Sequence, residues 1–96
     1  MRVDLSTAAQ KDFRGYRSRQ EQRSLDGALS LLQRDPFAGN PKVGSLEGYR
    51  TVDFRTPGCQ HRLAYYIDWE ARVCVVVAIG RREKFYERLT QRLGKT

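Results

Sequence analysis

Residues 62–79 read RLAYYIDWEARVCVVVAI, and the fold turns on how they alternate. Leu63, Tyr65 and Ile67 interleave with Arg62, Ala64 and Tyr66, the period of two expected where a strand buries one face. The polar tetrad DWEA, residues 68–71, interrupts the pattern, and the run from Val73 to Ile79 is almost wholly apolar, as in a central strand covered on both sides. An antiparallel hairpin centred near Trp69 and Glu70 opposes Tyr65 to about Val75 and Leu63 to about Val77. One face of that hairpin carries Leu63, Tyr65, Ile67, Val73, Val75, Val77 and Ile79, where helices are expected to pack. The other carries Arg62, Ala64, Tyr66, Cys74, Val76 and Ala78 and is expected to stay uncovered. In this register Cys74 faces roughly Tyr66 while Cys59 lies several residues further along, so the two thiols are expected to stay reduced.

Working outward, YRTVDFR at residues 49–55 alternates Arg50, Val52 and Phe54 against Thr51, Asp53 and Arg55. TPGCQ turns the chain between that strand and the next. Residues 2–5, RVDL, read as a short first strand. Thr7 stands three residues before Gln10, the spacing of a capping box, and Ala9, Phe13 and Tyr16 follow as one apolar stripe. Leu25, Ala28, Leu29 and Leu32 mark a second amphipathic helix, starting as early as Arg19 and ending where Pro36 disfavours helix at Asp35. PFAGNPKVGSLEG is loop chemistry, and residues 83–93 form a short closing helix with Phe85 or Tyr86, Leu89 and Leu93 on one side. The class is α+β: a small twisted antiparallel sheet of about four strands, two N-terminal helices packed on one face, and a short C-terminal helix. Residues 1–96 are expected to make one domain, since neither half alone holds a usable core.

Composition narrows the partners. The chain has 18 Lys+Arg against 11 Asp+Glu, a net charge of +7, and only Lys11, Lys42, Lys84 and Lys95 are lysines. Arginine presents a planar fork that grips phosphate oxygens in pairs, whereas lysine is a hydrated point charge. The bias points to a polyanion or an acidic protein partner; the bland alternative is a surface supplied by an arginine-heavy proteome. No apolar run has the length of a signal peptide or membrane span, so a cytoplasmic location is expected, with no membrane partner. His61, the single histidine, has no companion for a metal site and reads as a strand-entry residue. No metal and no small-molecule cofactor are expected. Trp69 is either an exposed turn residue or a partner contact.

Chemistry concentrates where VVVAIGRREKFYERL, residues 75–89, passes from hydrocarbon to cations. Arg62 begins its strand beside the small residues Ala64 and Ala78, and Arg82 and Tyr86 leave the end of the adjacent strand. Two guanidiniums can hold a phosphodiester and stabilise the added charge of its pentacoordinate transition state. A phenol can act on the nucleophile or stack on a base. Read singly, Arg62 is a solvated strand residue, and Arg81, Arg82 and Lys84 decorate a helix start.

In order and spacing, LSTAAQKDF, LLQRDPFAGNPKVGSLEGYRTVDFR, HRLAYYID and VVVAIGRREKFYERL resemble the RelE/ParE superfamily of bacterial type II toxins over nearly the whole chain. The specific elements are Arg62 before an LxYxI strand and the ending I-G-x-R-x-x-x-Y, here Ile79, Gly80, Arg82 and Tyr86. In the RelE-like branch, the resemblance implies a metal-independent mRNA endoribonuclease acting in the ribosomal A site, with mRNA, rRNA and a cognate antitoxin as partners. The ribose 2′-OH attacks the adjacent phosphate and leaves a 2′,3′-cyclic phosphate and a 5′-OH. Carried over by motif, Arg62 contacts the scissile phosphate, Arg82 stabilises transition-state charge, and Tyr86 acts on the nucleophile or stacks on a base. Lys42, Arg50, Arg55, Arg81 and Lys84 are the expected RNA-backbone contacts. The chain departs from RelE in holding Thr51 and Asp53 where that branch places two strand lysines. Asp53 is open as a general base, a solvated residue or the partner of Arg55. That departure keeps a second function class in view, a ParE-like inhibitor of DNA gyrase without nuclease activity. A third is a nucleic-acid-binding domain without enzymatic activity.

Overall fold

In the computed structural model, which describes residues 1–94, the chain runs β1 (Arg2–Leu5), α1 (Thr7–Phe13), α2 (Arg19–Arg34), β2 (Asn40–Pro41), β3 (Tyr49–Thr56), β4 (Cys59–Asp68), β5 (Val73–Arg81) and α3 (Phe85–Arg92). A single 3₁₀ turn, Gly44–Leu46, lies between β2 and β3. The sheet has the order β1-β5-β4-β3-β2. The expected α+β class, with α1 and α2 on one face, is what forms. The sheet is mixed rather than purely antiparallel, because β1 pairs with β5 in parallel. It also gains a fifth strand, the two residues of β2, inside what reads as loop. A four-residue strand carries an alternation but no mark of its neighbour's direction, and a strand containing Pro41 carries no strand signal.

Helix starts follow side-chain capping. Ser6, not Thr7, is the N-cap of α1, accepting from Ala9 N, while Gln10 Nε2 reaches back to Leu5 O at 3.0 Å. Ser18 and Glu21 form a reciprocal capping box at α2. α3 begins at Phe85, because Lys84 takes a left-handed conformation with φ 56°.

The β4–β5 hairpin is confirmed, with a different register. Tyr65 faces Val76 and Leu63 faces Ile79, with a bulge between Ala64 and Tyr65 across from Val77. An extra residue in one strand shifts every later side chain to the opposite face. Cys74, Val76 and Ile79 therefore enter the core under α1 and α2 together with Leu25, Leu32, Leu63 and Tyr65. Val75 and Val77 lie instead with Ala64 and Ala78 on the second face. Cys74 consequently opposes Ile67, and Cys59 opposes Thr56 at the far end of β4.

The second face is not uncovered. Phe85 and Leu89 of α3 bury Ala64, Val77 and Ala78 there, with Leu46 and Tyr66 completing the layer. Beyond β1, the edge of β5 would present unpaired backbone groups. Asp12 on α1 accepts from Ile79 N at 2.9 Å, and Arg92 on α3 donates to Val77 O at 3.0 Å. Arg92 also grips both oxygens of Asp12, at 2.6 and 3.1 Å. This pair closes the sheet edge and ties α3 to α1.

Candidate functional site

Arg62 stands on β4 between Asp53 of β3 and Gly80 of β5, on the face that α3 half covers. Its Nε donates to Asp53 Oδ1 at 2.6 Å and its Nη2 to Oδ2 at 3.4 Å. The guanidinium lies 4.7 Å from the centre of the Tyr86 ring. Only 13% of the Arg62 side chain is exposed, against 50% of Asp53, so the carboxylate meets water while the cation is held beneath it. Asp53 is the partner of Arg62, not of Arg55. The hydrogen bond from Arg62 holds the Asp53 carboxyl below its usual range despite partial burial, helped by the charges of Arg62, Arg82 and Lys42.

Tyr86 comes from the first turn of α3, edge-on to Phe85. Its Oη accepts a hydrogen bond from Lys42 Nζ at 2.9 Å and lies 3.5 Å from Thr51 Oγ1. Burial pushes the phenol up, but the hydrogen bonds of Lys42 and Thr51 and the charges of Arg62 and Lys42 outweigh it and hold the group below its ordinary value. Lys42 reaches this position because its backbone N–H donates to Tyr49 O at 2.9 Å, extending the β2–β3 pairing. Two cations, one carboxylate and one acidified phenol thus meet from four separate segments.

Arg82 follows β5 directly, its backbone N–H donating to Gln60 O at 3.0 Å. Its side chain is exposed beside an open cleft of about 430 Å³ lined by Cys59, Gln60, Arg81 and Glu83, and no carboxylate pairs with it among the described residues. Arg88 fixes the turn that presents Arg82 by donating to Arg81 O at 2.7 Å and Glu83 O at 2.9 Å. A Cβ on Gly80 would stand 3.1 Å from Arg88 Nη2, so the glycine leaves room for that guanidinium.

The other expected contacts scatter. Arg55 is exposed and shares the parity of Asp53 on β3, lining a smaller groove with Gly58, Cys59 and Gln60. Lys84 is exposed in the turn. Arg81 has the opposite parity, and its charge acts on His61. Arg50 turns away altogether: its Nη1 donates to Phe37 O at 3.3 Å and Gly39 O at 2.8 Å. Thr51 figured in the sequence expectation only as a departure from a strand lysine, and Arg88 not at all. The strand alternation that groups Thr51 with Asp53 was the available signal for the first, and nothing local marks the second.

His61 is buried rather than a simple strand-entry residue. Its Nδ1 lies 2.7 Å from Tyr16 Oη and its Nε2 2.8 Å from Thr56 Oγ1, with Phe54 stacked at 5.3 Å. Among the described residues no group of three or more His, Cys, Asp or Glu is placed to hold a metal ion, and no helix is long and apolar enough to cross a membrane.

A family model described as the ParE-like toxin of type II bacterial toxin–antitoxin system matches residues 6–90. No curated protein matches the sequence. Among solved structures, a mutant of E. coli RelE in the free state superposes with a TM-score of 0.71 at 21% identity, covering 96% of each chain. A chain of the RelBE2 toxin–antitoxin complex of Mycobacterium tuberculosis is 29% identical, covering 84% of this chain and 96% of that one, with a TM-score of 0.65. The YoeB/ParE toxin of Agrobacterium tumefaciens gives 0.69 at 18% identity, covering 85% and 99%.

Proposed function

This chain belongs to the ParE-like toxins of type II bacterial toxin–antitoxin systems, and from that premise we propose that it is a ribosome-dependent mRNA endoribonuclease held in check by a cognate antitoxin. One observation carries the reading: Arg62 and Tyr86 pack 4.7 Å apart on the second face of the sheet, with Lys42 on the phenol oxygen. In this reading the scissile phosphate lies over Arg62, and the exposed Arg82 closes on it from the cleft side. In its phenolate form, which the Lys42 ammonium stabilises, Tyr86 takes the proton of the ribose 2′-OH. The O2′–P bond forms, the P–O5′ bond breaks, and the departing 5′-oxygen takes a proton from the Lys42 ammonium. The hydrogen bond between Tyr86 and Lys42 then returns that proton and resets the pair. The arginines stabilise the charge that grows on the equatorial oxygens.

Cleavage of mRNA on programmed ribosomes tests this. Arg82→Ala should slow cleavage by about 10²–10³-fold, as removal of one preorganised donor does, and Tyr86→Phe should abolish the proton transfer. Variants that cut as fast as the unaltered protein would remove the assignment.

A second reading is favoured by Asp53, which occupies the fork of Arg62 at a position where RelE-like strands place a lysine. A toxin that inhibits DNA gyrase has no need of a free Arg62. Supercoiling by purified gyrase would then fall in the presence of the protein while ribosome-bound mRNA stayed intact.

A further inference from the structure

Away from Arg62, the loop leaving α2 and the tip of the β4–β5 hairpin bring two exposed aromatics together. Phe37 is 54% and Trp69 58% exposed, yet their rings pack at 5.5 Å. They flank a cavity of about 320 Å³ whose walls include Pro41, Arg50 and Ile67. The Arg50 guanidinium lies 5.1 Å from the Phe37 ring centre. Its Nη1 is held by the carbonyls of Phe37 and Gly39, while Nε and Nη2 make no hydrogen bond among the described residues. No carboxylate pairs with it there. A guanidinium fixed at one nitrogen, stacked on an aromatic and open along its Nε/Nη2 edge is shaped for a bidentate anion.

We propose that this cavity docks an acidic segment of a partner protein, with an apolar side chain seated against Phe37 and Trp69 and a carboxylate on the open edge of Arg50. Charge and composition select that occupant. An RNA strand is gripped through several phosphates and so needs several cations, and this cavity has one. With Tyr49 also on its wall, its mixture of tryptophan, phenylalanine, tyrosine and one arginine is that of a protein-binding hot spot. The carboxylate complements both the open edge of Arg50 and the net charge of +7. Ile67 lies roughly 16 Å along β4 from Arg62, at about 3.3 Å per residue, and on the opposite face, while Pro41 on the other wall adjoins Lys42. The inference stands whether or not the protein is a nuclease.

Trp69 is the only tryptophan in the chain, so its fluorescence reports on this cavity alone. The intact protein would be titrated with acetyl-Glu-Leu-Glu-Leu-amide, with the same peptide bearing Gln for Glu, and with a uridylate tetranucleotide. The acidic peptide should shift the emission saturably, and the Gln peptide should bind about threefold to tenfold more weakly. Phe37→Ala should weaken both peptides, and since Phe37 is exposed the variant keeps its core. Arg50→Gln should erase the difference between them. Equal binding of the two peptides, a response to the tetranucleotide in place of the acidic peptide, or no saturable change up to the solubility limit would each overturn the assignment.

Discussion

Removal of the Asp12 carboxylate should destabilise the protein far more than its place on a seven-residue helix implies. Asp12 accepts from the N–H of Ile79, which is 5% exposed, and pairs with Arg92 across 80 positions of sequence. Asp12→Ala leaves that buried N–H without an acceptor, at about 1–3 kcal/mol. The ion pair adds no more than about 1 kcal/mol, because 19% of Asp12 and 34% of Arg92 side-chain surface meets solvent and water screens it. The expected loss is about 1–4 kcal/mol, which for a domain of this size lowers the melting temperature by roughly 4–30 °C. Asp12→Asn keeps one oxygen for Ile79 N–H and should cost only about 1 kcal/mol. Urea unfolding of Asp12→Ala, Arg92→Met and the double variant, followed by circular dichroism, gives the cycle. Asp12→Ala no worse than Asp12→Asn, or single effects that add to within about 0.3–0.5 kcal/mol, would refute the edge-closing role.

His61 and Tyr86 give predictions in pH. Burial, then the charge of Arg81, depresses the His61 imidazole, with Glu21 opposing weakly, so the folded protein binds the proton less readily than the unfolded chain. Stability is therefore fully present above about pH 6.5, the unfolded value, and falls as the pH drops through the folded one, by up to about 1.4 kcal/mol per pH unit. His61→Gln should flatten urea midpoints between pH 7 and pH 5; an unchanged slope would place the titration elsewhere. Of the phenols displaced from their ordinary value, Tyr16 and Tyr65 are pushed up by burial and Tyr86 alone is held down. Lys42→Met should move the Tyr86 ionisation to higher pH in a tyrosinate absorbance titration, and a curve that superposes on the unaltered protein's would break the Lys42–Tyr86 link.

The sequence made the β4–β5 hairpin readable because β4 alternates strictly and DWEA stops it. It hid the register because Val73–Ile79 is apolar at nearly every position: a bulge displaces one valine by another and leaves no polar residue on the wrong face to betray it. The same ambiguity concealed that Val75 and Val77 would need a cover, and hence that α3 would supply one. Arg62 and Tyr86 were legible as a pair because the hairpin sets Arg62 across from Gly80, where the chain leaves β5 for the helix that carries Tyr86. Asp53 was harder to assign. Its neighbour Arg55 is close in sequence but lies two positions along the same strand, whereas the directly opposed position on β4 holds Arg62, at the shorter cross-strand spacing. The contact between Lys42 and Tyr86 depends on the path of a loop, which no periodicity records.

The arginine bias has two origins that the net charge merges. Arg50, Arg88 and Arg92 all turn guanidinium N–H groups onto backbone carbonyls: Arg50 onto the loop after α2, Arg88 onto the turn after β5, Arg92 onto the bulged edge of β5. A planar fork can hold carbonyls or carboxylates at two nitrogens at once, which a lysine ammonium on a flexible stem does less well. These cations close the fold where the sheet stops pairing. Arg62 is committed differently, sandwiched between Asp53 and the Tyr86 ring, so an incoming phosphate must either share its fork with the carboxylate or displace it. Arg82, Arg55 and Lys84, exposed and without a carboxylate partner among the described residues, are uncommitted near that face. Affinity for a polyanion should therefore follow those three side chains, and stability the other three; exchanging Arg88 for lysine should cost folding free energy while leaving the salt dependence of RNA binding nearly unchanged.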